Sequence, residues 1–499
     1  MTAASPEYRF CIDMTLECIR RDHTDSFFPQ NREKKGNQRG PFLTARALGM
    51  ALAALRDAKA IANGRSAFLA QLKSHATASD LKGANPKVAA AMACAQVLRR
   101  RYPDQLHLIN SACSQWLELF EPTPTPLRAQ SQIAGIAFGD AIHELGKKDA
   151  EIAGVMYIPI LEPYYHNAPP NEPNQGFAGS AWGTAAPLVA KRIENFPTPP
   201  GRVSPTEVEA ASHYKRDYEE VLAKGISNRA DGSRTLNEEI IGIYWGYDGP
   251  QELGTPPRLY LQIVLSVLDD IQARNKTRLS VDDELDIIAM IGISQADAAI
   301  DAWHYKYSAK HMMWRPALGI PNADPNHGTA PRRDWRPLGR PATNGNDIER
   351  TPDFPAYPSG HATFGAAAFQ LLRLFLVEKG AANFEDDGGD NVDFDFVSDE
   401  FNGRNRDPRT GMPRQLLTRR YPSLWKAITD NSVSRVYLGV HWQFDGITTR
   451  NGASDEFGVP EAPKTLGHTG GVWLGVRIAN QLAELLEIRP ETINKSLGT

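Results

Sequence analysis

Residues 358–377 read PSGHATFGAAAFQLLRLFLV, and this stretch says most about the fold. A proline fixes the entry, Ser359 is a favoured helix N-cap, and an apolar run follows. The run is broken by Gln370 and Arg373. It is also too short to cross a bilayer comfortably. It therefore predicts a buried helix and no membrane span.

Helical composition recurs along most of the chain on both sides of this stretch, whereas strand-like alternation is hard to find. Besides 359–379, the predicted helices are 42–62, 86–101, 105–120, 127–145, 205–223, 256–274, 281–314, 424–438 and 471–486. Residues 1–40 are polar and irregular, and we expect an arm or loop there. The pattern predicts an all-α protein built from two helical bundles of the four-helix type.

Two long irregular segments interrupt the helices. Residues 150–204 are rich in Pro, Asn and Gly, and residues 315–358 are rich in Pro, Asn and Arg. The first segment is the best place for a boundary between lobes. We predict an N-terminal bundle at 1–204, which includes this proline-rich segment, and a C-terminal bundle at 205–499.

Composition excludes some partners. The 499 residues include 55 Lys and Arg against 59 Asp and Glu, which gives a net charge of -4 and no broad basic field. Nucleic acid is therefore not an expected partner. The N-terminus lacks the basic-then-apolar layout of a signal peptide, which favours a cytoplasmic location. The 4 cysteines show no metal-binding spacing.

Three separate segments together indicate a site for an oxyanion. They supply Arg315, Ser359, Gly360, His361, Arg435, His441 and Asp445. The free N–H groups at a helix start bind anions, and guanidinium groups suit their oxygen atoms. Asp445 lies four residues after His441, so it would orient the imidazole if that turn is helical. The set suits a tetrahedral anion, either phosphate or vanadate, which has the same shape.

The pattern resembles that of the vanadium haloperoxidases and the related acid phosphatases. Their shared motifs are a lysine, then Arg-Pro, then Pro-Ser-Gly-His, then Ser-Arg, five residues, His, three residues and Asp. The last three motifs are present without change at 315–316, 358–361 and 434–445. The resemblance covers mainly residues 240–446.

The lysine of the pattern has two candidates. The family usually has six residues between the lysine and Arg-Pro, whereas Lys306 leaves eight and Lys310 leaves four. We favour Lys306, because residues 302–306 (AWHYK) resemble the family's Ala-Trp-x-x-Lys. The two extra residues would then form a bulge in the helix. Lys310 is the alternative.

Two further matches point to the chloroperoxidase-like branch. Residues 247–249 (YDG) and 254–258 (GTPPR) resemble a segment of those enzymes in which the aspartate pairs with the second anion-binding arginine. Asp248 is therefore expected to pair with Arg435. The second match is residues 354–357 (FPAY), directly before Pro-Ser-Gly-His. In bromoperoxidases a histidine often occupies the position of Phe354. Phe354 and Trp303 are expected to line a more apolar halide site.

The resemblance implies a vanadium-dependent haloperoxidase that oxidises chloride or bromide with hydrogen peroxide to hypohalous acid, with a small organic acceptor as a further partner. It implies that vanadate, or phosphate in its place, is held by Lys306, Arg315, Ser359, Gly360, His361 and Arg435. His441 would be the metal ligand, with Lys306 and His361 as the other catalytic residues. The alternatives are an acid phosphatase that forms a phosphohistidine at His441, and an inactive anion-binding protein.

Overall fold

The structure is a computed structural model. It describes residues 5–499 except 33–34, 73–74, 200–201, 205–206, 209–212, 275–278, 324–328, 453 and 457. Helices joined by loops make up almost all of its regular structure, which confirms the all-α prediction. The first group comprises α1 (Pro6–Asp22), α2 (Pro41–Ala62), α3 (Ala76–Asp80), α4 (Pro86–Arg101), α5 (Leu106–Phe120), α6 (Pro126–Glu144) and α7 (Asp149–Ala153).

The second group follows the long irregular segment. It comprises α8 (His213–Lys224), α9 (Leu236–Tyr244), α10 (Pro256–Ala273), α11 (Val281–Lys306), α12 (Pro316–Gly319), α13 (Gly360–Glu378), α14 (Leu424–Tyr437), α15 (Gln443–Gly446), α16 (Gly470–Leu482) and α17 (Pro490–Lys495). Strands are few in the described ranges. They form three antiparallel pairs: β1 (Arg202–Ser204) with β2 (Glu207–Val208), β3 (Phe394–Val397) with β4 (Thr418–Tyr421), and β5 (Thr449–Asn451) with β6 (Ser454–Glu456).

The helix boundaries follow from local chemistry. Proline occupies the first turn of α2, α4, α6 and α10, where its missing N–H costs nothing. Ser280 and Asp283 form a capping box at the start of α11. Ser359 caps α13 and accepts a hydrogen bond from the Ala362 N–H at 3.4 Å. Ser359 thus has the N-cap role that its sequence predicts.

The long helices pack side by side in the order α6, α4, α2, α11, α13 and α16. The inner members α2 and α13 are buried along most of their length. Glycines permit close approach, since a Cβ on Gly49 would lie 2.7 Å from the carbonyl oxygen of Gly292. The contact between α2 and α11 crosses the boundary predicted at 204/205. That division into two bundles stays a prediction.

The prediction of an arm or loop over residues 1–40 is wrong for its first half. Helix α1 is largely buried and packs against α2, α4 and α5. Its buried residues Tyr8, Ile12, Thr15 and Ile19 recur at three or four residue intervals and form one face. Charged residues such as Arg9 lie between them, so the segment is polar on average although one face is apolar.

The helix predicted over 281–314 is too long. It ends at Lys306, and Arg315 is instead the residue that precedes the short helix α12. The two extra residues lie in the turn between Lys306 and Arg315, so the predicted bulge in the helix is wrong. Helix α9 was not predicted. The predicted start of the 205–223 helix falls largely outside the described residues.

One helix among the described residues, α13, is long and apolar enough to cross a membrane. Its most apolar window is 94% buried inside the protein. A helix that is covered on all sides by other helices of the same chain is a core helix.

Replacing Gly49 by alanine tests the close contact between α2 and α11. The added methyl group would meet a backbone carbonyl, so the two helices must move apart. We expect the free energy of unfolding to fall by about 1–3 kcal/mol in chemical denaturation. The control is Gly176→Ala, because a Cβ at Gly176 meets nothing within 4 Å. Equal stability of the two variants would contradict this account of the packing.

Candidate active site

The residues singled out in the sequence come together where α11 ends, α13 begins and α14 ends. Lys306 is the last residue of α11, and Arg435 lies in the last turn of α14. The backbone N–H of Ser359 donates to the Asp445 carbonyl at 2.7 Å, which joins the start of α13 to the segment after α14. The predicted anion-binding side chains are all buried: Lys306, Arg315, Ser359, His361, Arg435 and His441.

His441 is held in one tautomer. Its Nδ1 lies 2.9 Å from Asp445 Oδ2, and its Nε2 lies 3.2 Å from Arg315 Nη1. A guanidinium can only donate, so Nε2 accepts and the proton is on Nδ1. Burial, followed by the charges of Arg315 and Lys306, lowers the pKa of His441 well below its ordinary value. The imidazole is therefore neutral, with a lone pair on Nε2.

Asp248 and Arg435 form a paired contact of two hydrogen bonds, at 2.9 and 2.7 Å. This is the contact expected from the resemblance. Burial alone would raise the pKa of Asp248, but Arg435 lowers it below its usual value. The carboxylate is therefore charged and fixes the plane of the guanidinium.

His361 is also a neutral imidazole with a defined orientation. Its Nε2 donates to the Gly246 carbonyl at 2.7 Å, so Nδ1 carries the lone pair. Burial and then the charge of Arg435 lower the pKa of His361 to about 3. An anion bound beside it would raise that pKa toward neutrality.

The structure places Lys306 in the site and leaves Lys310 on the surface. Lys306 Nζ donates to the carbonyl oxygens of Pro355, Ala356 and Pro358 at 2.8, 3.1 and 2.5 Å. Burial and then the charge of Arg315 lower the pKa of Lys306 well below its ordinary value. Lys310 is exposed. Geometry thus selects Lys306 from the two candidates.

Several buried polar atoms have no hydrogen-bond partner among the described residues. They include Arg315 Nη2 and Arg435 Nε. The rest of the Arg315 guanidinium donates to the carbonyls of Phe354 and Val440, each at 2.7 Å. Gly360 lies in the first turn of α13, where backbone N–H groups lack helical acceptors. These donors fit a tetrahedral oxyanion such as vanadate or phosphate, which would satisfy both arginine atoms.

A cavity of about 450 Å³ adjoins these residues, and Gly360, His361 and His441 line it. Trp303 and Phe354 form part of its wall, with ring centroids 4.7 Å apart. Sequence reasoning missed several other lining residues: His23, Arg39, Phe42 and Arg340. His23 and Phe42 lie more than 200 residues from the motifs, so no local spacing relates them to the site.

Comparisons with known proteins agree with this geometry. A family model described as the VCPO second helical-bundle domain matches residues 286–456, which contain every motif from Lys306 to Asp445. A vanadium chloroperoxidase of Curvularia inaequalis is 32% identical over 379 residues, which are 66% of this chain and 60% of that protein. Residues 286–456 therefore match the second helical-bundle domain of the vanadium chloroperoxidases, and the chain is similar to a vanadium haloperoxidase over a wider region. It spans 60% of the length of that haloperoxidase.

Solved haloperoxidase structures share the fold over nearly the whole chain. A bacterial vanadium-dependent iodoperoxidase superposes with a TM-score of 0.64 at 20% identity, covering 97% of this chain and 96% of its own. The holo-type bacterial vanadium-dependent chloroperoxidase gives 0.57 at 16% identity, covering 92% and 93%. The haloperoxidase fold therefore includes the N-terminal helices, which lie outside the matched residues 286–456.

Phosphate binding tests the position of Lys306. A bound dianion would raise the lowered pKa of Lys306, so binding should take up a proton, and affinity should fall as the pH rises from the pKa of the free protein to the pKa of the complex. Calorimetric titration in two buffers of different ionisation enthalpy measures the uptake. We expect Lys306→Met to lose it and Lys310→Met to keep it. Equal uptake in both variants would show that Lys306 is not the coupled group.

Proposed function

We propose that the protein is a vanadate-dependent haloperoxidase that uses hydrogen peroxide to oxidise chloride or bromide to hypohalous acid. One observation carries the proposal: a neutral His441 with a lone pair on Nε2 lies among buried cations that still have unpartnered donors. The match of residues 286–456 to the VCPO helical-bundle domain and the 32% identity to a vanadium chloroperoxidase support the same proposal. Vanadate would be the cofactor, and phosphate would fit the same site.

His441 would be the protein's ligand to the metal. The hydrogen bond from Nδ1 to Asp445 keeps the proton away from Nε2, so the lone pair is available without a prior deprotonation. When bound, vanadate would supply a Lewis-acid centre that makes an oxygen of hydrogen peroxide electrophilic toward halide without changing its own oxidation state.

Lys306, Arg315 and Arg435 would offset the negative charge of the oxyanion. Arg315 Nη2 and Arg435 Nε are the donors without another described partner. The Ser359 hydroxyl and the Gly360 N–H would complete the cradle at the start of α13. A cationic lysine beside the reacting oxygen atoms would also draw electron density from them.

His361 would act as the acid–base group. Its Nε2 is fixed by Gly246, so Nδ1 is the atom that can accept and return a proton. The pKa of about 3 reflects burial and Arg435. A bound anion would bring that pKa closer to the working pH, which is what proton transfer requires.

The wall formed by Trp303 and Phe354 would receive the halide. Both side chains are buried, and Lys306 Nζ lies 5.1 Å from the centre of the Phe354 ring. A halide is a monatomic anion, and a nearby cation would offset the cost of removing it from water at an apolar surface. Chloride and bromide both fit this description.

The second candidate is an acid phosphatase, favoured by the same lone pair on His441 Nε2. In that case His441 would attack phosphorus and form a phosphohistidine, and His361 would protonate the leaving alcohol. The arginines would stabilise the transition state, which has the shape of bound vanadate. An inactive anion-binding protein is the third candidate.

Three assays separate these candidates. Protein incubated with orthovanadate is assayed for bromination and chlorination of a dye with hydrogen peroxide, and vanadate-free protein is assayed with a phosphate ester. We expect halogenation well above the control without vanadate. Halogenation that stays at the control level overturns the first proposal. Ester hydrolysis alone supports the phosphatase, and phosphate binding without turnover supports the anion-binding protein.

His441→Ala should reduce halogenation to the level seen without vanadate, because the metal loses its protein ligand. The same variant should abolish any ester hydrolysis. His304→Ala is the control, since His304 is a half-exposed residue of α11 that does not line the cavity. Halogenation by His441→Ala at the wild-type rate would remove this histidine from the mechanism.

A further inference from the structure

The cavity is larger than halide and hydrogen peroxide require. Its volume of about 450 Å³ falls within the range of about 300–1,000 Å³ that is typical of pockets for drug-sized molecules. One wall is aromatic and includes Phe42, Trp303, Phe354 and Phe364. Besides the halide, such a wall suits a flat aromatic ring.

Arg340 contributes a cation to the same cavity. Its side chain makes no hydrogen bond or ion pair with another residue in the described ranges, although its charge acts on Asp248. Arg39, which also lines the cavity, is already paired with Asp25 at 3.3 Å. Asp353 adds a negative charge to the same lining. Arg340 is therefore available for an anionic group of a ligand, and Asp353 would oppose that group.

His23 contributes a hydrogen-bond acceptor. This residue follows α1 and is 2% exposed. Its Nδ1 donates to the Ile19 carbonyl at 3.0 Å, and its Nε2 has no partner among the described residues. Burial lowers the pKa of His23 to about 4, so the ring is neutral. The ring lies beside Gly249, whose added Cβ would be 3.6 Å from it.

We propose that this cavity binds an aromatic hydroxy acid as the organic acceptor. The ring would lie against Phe42 and Trp303, the carboxylate would pair with Arg340, and the hydroxyl would donate to His23 Nε2. Halogenation of this acceptor rests on the proposed function. In that step a carbon–halogen bond forms, the ring C–H bond breaks, and the released proton joins the hydroxide of hypohalous acid as water.

Binding to vanadate-free protein tests the carboxylate subsite. Inorganic phosphate at saturation fills the oxyanion site, and calorimetry compares 4-hydroxybenzoate with 4-hydroxybenzamide. We expect the acid to bind about tenfold more tightly, the value of one charge-assisted contact. Arg340→Gln should remove this preference, and Asp353→Asn should increase it. Arg336→Gln is the control, because Arg336 donates to the carbonyls of Arg333 and Trp335 and does not line the cavity.

The hydroxyl subsite is tested with His23→Phe, which keeps a ring but removes the acceptor. Binding of 4-hydroxybenzoate should weaken severalfold, while binding of benzoate should stay the same. An equal loss for both probes would make His23 a packing residue and overturn its proposed role. Equal affinity of acid and amide in the wild type would overturn the whole proposal, even in a protein that halogenates. If the acid binds more tightly than the amide but the protein does not halogenate, the proposed subsite is supported. Only the proposed haloperoxidase activity is then contradicted.

Discussion

The site depends on three cations that are buried together. Lys306, Arg315 and Arg435 have almost no exposure, and the structure pairs only Arg435 with a carboxylate among the described residues. Removing a charge from water costs several kcal/mol even after relaxation. Here backbone carbonyls supply much of the compensation for Lys306 and Arg315. An oxyanion would supply the rest.

This requirement explains why an irregular segment precedes α13. Carbonyls inside a helix are already bonded to the backbone, so they cannot solvate a cation as well. Residues 354–358 contain two prolines and run without helix, which leaves their carbonyls free to accept from Lys306 and Arg315. The rigid helices on either side hold this loop in place. Disorder in the loop would leave the cations buried without partners.

Features that involve residues close together in the chain were predicted from the sequence more reliably than features that depend on packing between distant helices. Capping by Ser359 and the orientation of His441 by Asp445 involve neighbours in the chain, so spacing was informative. The choice of Lys306 required the structure, because only the fold shows that the helix ends there. Helix α1 and the cavity residue His23 were missed, since their environment comes from distant elements. The division into two bundles and the cytoplasmic location stay predictions.

The cavity is built from two parts of the chain with different tasks. The oxyanion groups lie within residues 286–456, whereas His23 and Phe42 come from the N-terminal helices. The hydrogen-bond partners described for Arg315, Arg435 and His441 all lie outside the N-terminal helices. Substitutions at His23 would therefore change the part of the cavity that is remote in sequence from the oxyanion groups and remove none of the hydrogen bonds described for Arg315, Arg435 and His441.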